Sequence, residues 1–116
     1  MIFIIDDNEI MRECIKKACK GHEVLEFQNA LSAMEAISDG MIPSLIFTDI
    51  MLTGPDGFTF LNELMTYNDT AKIPVVIVSA LDFGGKDLSA YGVVETLNKD
   101  SFKPEDIKRL LSEYAK

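Results

Sequence analysis

Five times along this chain a short run of β-forming apolar residues gives way to a stretch whose apolar residues recur at helical spacing. No other feature limits the fold so strongly. Met1–Ile5 is continuously apolar, which predicts a strand covered on both faces. Asn8 predicts the cap of a first helix with Ile10, Met11, Cys14, Ile15 and Ala18 on its apolar face, stopped by Gly21. Val24–Phe27 alternates like a strand nearer a sheet margin, and Ala30, Ala33, Met34 and Ile37 mark a second helix ended by Gly40. Pro43 precedes a third strand at Leu45–Thr48. After a Gly54–Gly57 turn, Phe58, Leu61, Leu64 and Met65 mark a third helix. Pro74 introduces the most hydrophobic strand, Val75–Val78, and a weak helix is expected around Lys86–Ala90. Val93–Leu97 is the fifth strand. Pro104 then suits the first turn of a last helix striped by Ile107, Leu110, Leu111 and Tyr114.

Such (βα)₅ alternation predicts an α/β fold: a doubly wound, three-layer sandwich with a parallel five-stranded sheet between two helix layers. Right-handed crossovers make successive strands run the same way, so every strand C-terminus lies along one edge. At 116 residues and 47% apolar content, a single domain over 1–116 has material for a core. No internal repeat or linker interrupts it.

Charge and cysteine usage exclude several classes. Eleven Lys plus Arg against 19 Asp plus Glu leave a formal charge of −8, which disfavours nucleic acid and anionic membrane surfaces as partners. No stretch approaches the ~20 apolar residues of a membrane span, and the opening run lacks a basic leader, so a cytoplasmic location is expected. Cys14 and Cys19 have the wrong spacing for CxxC chemistry and read as ordinary core thiols, and His22 as a surface residue.

The residues that follow each strand carry the chemistry. Asp6 and Asp7 close strand one, Asp49 strand three, Ser79 strand four and Lys99 strand five. Taken singly, each has an ordinary reading: helix N-terminal charges for Asp6 and Asp7, a turn cap for Asp49, a solvated cation for Lys99. Their joint placement at successive strand ends is harder to assign to chance. Like charges at about 4 Å and an effective dielectric near 20 repel by about 4 kcal/mol per pair, so three gathered carboxylates call for a cation. Hard oxygen donors suggest Mg²⁺. A dianionic phosphoryl group would then be neutralised by the metal and Lys99 and take a hydrogen bond from Ser79.

These residues resemble the response-regulator receiver family of two-component signalling, in its chemotaxis-type stand-alone form. Ile4-Ile5-Asp6-Asp7-Asn8-Glu9 is similar to its acidic pair. Leu45-Ile46-Phe47-Thr48-Asp49-Ile50-Met51-Leu52 with Asp56-Gly57-Phe58 is similar to its phosphoacceptor segment. Val75–Ala80 resembles the strand ending in its Ser/Thr, and Lys99 stands seven residues after Gly92. The resemblance implies a flavodoxin-like fold with strand order 2-1-3-4-5. It implies that Asp49 accepts a phosphoryl group from a sensor histidine kinase or histidine phosphotransfer protein. It further implies Asp7, Asp49 and the Met51 backbone carbonyl as direct Mg²⁺ ligands, Asp6 acting through water, and Ser79 and Lys99 on the phosphoryl oxygens. Such a domain is not an enzyme in the usual sense; it phosphorylates and dephosphorylates only itself and switches the binding of a downstream protein target. The chain departs from the pattern at Asp100 (usually Pro), at Leu52-Thr53 (often Leu-Pro), at Thr96 (usually aromatic), and in a short Ser79–Gly92 interval containing Gly84-Gly85, which predicts a short or displaced fourth helix. A degenerate receiver acting only as an interaction module predicts loss of a site group, and none is lost. An aspartyl phosphatase of the haloacid-dehalogenase kind needs a second Asp where Met51 stands.

Overall fold

The structure is a computed structural model and describes residues 1–50, 57–80 and 88–115. Five strands, β1 (Ile2–Ile5), β2 (Val24–Phe27), β3 (Leu45–Thr48), β4 (Val75–Ser79) and β5 (Val93–Asn98), form one parallel sheet in the order β2-β1-β3-β4-β5. The helices are α1 (Glu9–Ala18), α2 (Ala30–Ser38), α3 (Gly57–Thr66), the single turn α4 (Asn68–Ala71) and α5 (Pro104–Tyr114). A parallel sheet in this order, with β3 central and β1 between β2 and β3, is the flavodoxin-like arrangement expected from the sequence.

Alternation along the strands divides the interior into two layers. Phe3, Ile5, Ile46 and Ile77 point to one face and pack with Ala30 and Ala33 of α2 and Phe60, Leu61 and Leu64 of α3. Ile2, Ile4, Leu45, Phe47, Val76 and Val78 point to the other and meet Ile15 and Ala18 of α1 and Ile107, Leu110 and Leu111 of α5. Both faces being covered explains why β1, β3 and β4 are buried at every position. The edge strands β2 and β5 are only partly buried.

Helix ends follow local chemistry. Asn8 and Asn29 accept hydrogen bonds from the Met11 and Ser32 amides and so cap α1 and α2. Gly40, at φ 95°, takes the left-handed turn that ends α2. Pro104 opens α5.

Three expectations need correction. The buried side of α1 is Arg12, Ile15 and Ala18, whereas Ile10 is 77% exposed and Cys14 is exposed. At 3.6 residues per turn, Ile10 and Cys14 lie opposite Arg12, and it is the arginine that turns inward. Cys14 is therefore not a core thiol; Cys19 is. On α3, Met65 is exposed and Phe60 takes the inward place. Of the helix expected around Lys86–Ala90, residues 86 and 87 lie outside the described residues, and Ser89–Tyr91 is a 3-10 turn. Gly84-Gly85 and most of the Gly54–Gly57 turn also lie outside them.

Candidate metal and phosphoryl site

The C-terminal edge of the sheet is built by backbone bonds that extend the ladder past the strands. The Asp6 amide donates to the Phe27 carbonyl at 3.0 Å, the Asp49 amide to Ile5 at 3.0 Å, and the Lys99 amide to Ser79 at 3.0 Å. Asp6, Asp49, Ser79 and Lys99 are thus held on adjoining strands by the same pairing that makes the sheet. Asp6, Asp49 and Ser79 are buried, while Asp7 on the next position faces solvent.

Side chains then converge. Lys99 Nζ donates to Asp49 Oδ2 at 2.6 Å and lies 2.8 Å from Asp6 Oδ2. The Asn8 amide donates to Asp6 Oδ1 at 2.9 Å. One carboxylate oxygen from each of Asp6, Asp7 and Asp49 lies within 4.8 Å of the other two. Asp6 Oδ2 and Lys99 form an ion pair at 2.8 Å, and among the described residues no other donor reaches that buried oxygen. A buried carboxylate oxygen whose one cationic neighbour is shared with Asp49, beside two further carboxylates, fits a hard divalent cation.

The ionisation of these groups reflects their burial. Desolvation raises the Asp6 carboxyl above its ordinary value, and neighbouring Asp49 adds to the rise; Lys99 and the Asn8 amide oppose it without cancelling it. For Lys99, burial pulls the ammonium down, but the bonds to Asp49 and Asp6 and the charge of both outweigh it, so its pKa is raised. Lys99 therefore stays cationic and acts as the fixed counter-charge of the cluster.

Of the residues expected at the site, Asp6, Asp7, Asp49 and Lys99 are gathered side chain to side chain, and Ser79 sits on the neighbouring strand end. Met51 lies outside the described residues. One residue that sequence reasoning passed over is Arg12. Its Nη1 donates to the Asp6 carbonyl at 2.7 Å, and its Nε lies 3.4 Å from Glu26 Oε1. The guanidinium thereby ties β2 and α1 to the turn that aims the acidic pair. The signal available was a charged residue at position 12, three before Ile15 on what proved to be the inward stripe. A second is Thr48, whose buried hydroxyl donates to the Asp49 carbonyl at 3.0 Å.

A family model described as the response regulator receiver domain matches residues 2–112. The chain belongs to that family. As a receiver domain it is 34% identical over 83 residues to the sensor histidine kinase CheAY of Helicobacter pylori, a match that covers 69% of this chain and 10% of the kinase. It is 30% identical to the solved receiver domain of NtrX from Brucella abortus, at a TM-score of 0.78, covering 97% of this chain and 95% of that one. The receiver domain of the sensor histidine kinase PA1611 from Pseudomonas aeruginosa PAO1, solved with a magnesium ion coordinated in its active site cleft, shares the fold. Its TM-score is 0.83 at 20% identity, covering 97% of this chain and 94% of that one. The receiver matches between 10% and 29% of the length of three curated relatives, CheAY and two protein-glutamate methylesterases. Receiver domains are signalling domains; the methylesterase relatives are longer proteins. Among the described residues, no helix is long and apolar enough to cross a membrane.

Proposed function

We propose that Asp49 is the phosphoacceptor of a two-component phosphorelay, receiving its phosphoryl group from a sensor histidine kinase or a histidine phosphotransfer protein. The observation that carries this reading is the ion pairing of one half-buried lysine, Lys99, with the buried Asp6 and Asp49 at the strand edge. In the transfer, a carboxylate oxygen of Asp49 forms a bond to phosphorus while the P–N bond to the donor imidazole breaks. The electron pair leaves with the imidazole, which takes a proton from solvent. The chain's part is positioning and charge neutralisation. Lys99, kept cationic by its neighbours, exchanges part of its contact with Asp49 for a phosphoryl oxygen, and the Ser79 hydroxyl donates to another. Asp7 and Asp49, with the Met51 carbonyl, would hold Mg²⁺ directly and Asp6 through water, and the ion would supply positive charge against the phosphoryl oxygens. Magnesium in the cleft of the PA1611 receiver supports that choice of metal.

Residues 1–116 act on this reading as one receiver unit that catalyses only its own phosphorylation and dephosphorylation. It works in the cytoplasm, and phosphorylation changes its affinity for a downstream protein and not for nucleic acid or membrane. Thr96 is exposed on β5, so the readout does not use an aromatic ring at that position.

Incubation with acetyl phosphate and Mg²⁺, followed by intact mass measurement, tests the proposal. The wild type gains one phosphoryl group, and Asp49→Asn gains none. No adduct on the wild type overturns the reading and favours an interaction-only receiver; an adduct that persists in Asp49→Asn moves the acceptor elsewhere.

A further inference from the structure

Two clefts run along the seam of α2 and α3, one of about 460 Å³ and one of about 270 Å³, and they share Met34 and Glu63. The two adjoin at these shared residues and together make up the α2–α3 groove. Leu31 (57% exposed), Ile42 (43%) and Tyr67 (59%) stand along it, with Met34 and Ile37 half-buried in its floor. Single exposed apolar residues are ordinary, but three large ones lining one groove are not.

The charge around the groove is one-sided. Between Val24 and Ala71 there is no Lys, Arg or His, so all 11 Lys and Arg fall in residues 1–23 and 72–116. The same span carries Glu26, Glu35, Asp39, Asp49, Asp56, Glu63 and Asp69. Glu26 pairs with Arg12 and Lys16, and Asp49 with Lys99. Glu35, Asp39, Glu63 and Asp69 are exposed and enter no ion pair among the described residues. An apolar groove rimmed by carboxylates that are unpaired among the described residues, with no Lys, Arg or His in its described lining, is complementary to a helix bearing an apolar stripe between lysines or arginines.

We propose that the α2–α3 groove docks a basic amphipathic helix of a partner protein, with Leu31 and Tyr67 as its apolar anchors and Glu63 and Asp69 as its charged rim. A second copy of this chain is a poor occupant, because −8 on each copy opposes association through this face. The groove is formed by helix faces and not by the Asp49 cluster, so the inference stands or falls independently of the phosphoacceptor reading.

A labelled peptide of about 18 residues, five helical turns, built of Leu and Lys with one apolar stripe, is the probe; its binding to the unphosphorylated protein is read by fluorescence anisotropy. A scrambled peptide of equal composition without the stripe, and a Leu/Glu peptide with it, are the comparisons. The striped Leu/Lys peptide should bind at least about tenfold more tightly than either. Leu31→Ser with Tyr67→Ser should weaken it by about tenfold or more, and Glu63→Gln with Asp69→Asn should weaken it and flatten its salt dependence. Ile10→Ser, on exposed α1, should leave it unchanged. Far-UV circular dichroism checks that each variant is folded, and Ile42→Ser replaces any that is not. Equal binding of striped and scrambled peptides, retention in the Leu31/Tyr67 variant, or loss in Ile10→Ser overturns the proposal. So does sedimentation showing a dimer that the Leu31/Tyr67 change dissociates, which would assign the groove to a second copy.

Discussion

Asp6 and Lys99 define the chemistry at the scale of single residues. Asp6 is buried beside another carboxylate, and Lys99 opposes the cost of its burial without cancelling it. Removing that charge while keeping the shape relieves both burial and repulsion. In the absence of divalent cations Asp6→Asn should therefore be more stable than wild type at pH 7, with a higher urea midpoint, and should lose most of the stabilisation that Mg²⁺ confers. Lys99→Met does the opposite: two buried carboxylates lose their common cation, which costs about 3–5 kcal/mol without metal. Urea unfolding with and without Mg²⁺ separates the two variants. Arg12→Ala removes a charge-assisted bond to the Asp6 carbonyl and should cost about 1.5–3 kcal/mol; Arg12→Lys should recover only part, because one ammonium cannot reach both Asp6 and Glu26 in the forked geometry. Cys19 supplies a pH signature. Burial raises its thiol from 9.0 to about 11, so the unfolded chain ionises first. The stability it contributes is complete below pH 9 and is lost as pH rises to about 11. That amounts to about 3 kcal/mol at 1.36 kcal/mol per unit. Wild type and Cys19→Ala should therefore differ in the slope of stability against pH between 9 and 11, and not below it.

Among the secondary elements, α1 matters most because it begins where the acidic pair ends. Its cap, Asn8, also lends its backbone amide to Asp6 Oδ1. Asn8→Ala should lower stability by about 1 kcal/mol through the lost cap, while Mg²⁺ affinity stays near wild type because the amide remains. A large loss of affinity would show that the cap, and not the amide, orients Asp6. How α1 sits was only partly readable from its pattern. Ile10, Met11, Cys14, Ile15 and Ala18 make a plausible apolar face, but Arg12, with its long apolar stem and two anionic partners, competes for the interior and takes it. A sequence window has no view of Glu26 or of the Asp6 carbonyl, which supply that preference. The strands were easier: β2 and β3 have the expected bounds, and β1, β4 and β5 differ from expectation at one end by a single residue. Short α4 was missed, since four residues hold no periodicity; a buried Thr70 whose hydroxyl donates to the Leu64 carbonyl keeps that turn in place.

The charge distribution of the whole molecule couples folding to cation binding. With −8 overall and three carboxylates at one edge, a divalent ion that binds only the native state should stabilise it by mass action, about 2.7 kcal/mol at a hundred times its dissociation constant. Thermal unfolding across a Mg²⁺ series checks this. Asp7→Asn should abolish most of the gain, whereas the same ionic strength of NaCl should reproduce little of it. An equal response to NaCl would mean that general screening, and not a site, is responsible.

Amino-acid order alone determined the alternation of strands and helices, the covering of the inner strands on both faces, and the identity of the polar residues at each strand end. Those features are local: they depend on apolar spacing, caps and turn residues within a few positions. Tertiary structure alone decided that Lys99 would sit between Asp6 and Asp49, that Arg12 would turn inward, and that Cys14 would face solvent. Lys99 and Asp49 are 50 residues apart in sequence, and only the parallel pairing of β1, β3, β4 and β5 brings them to 2.6 Å. Charge compensation of that kind depends on distance in space, which sequence spacing does not encode.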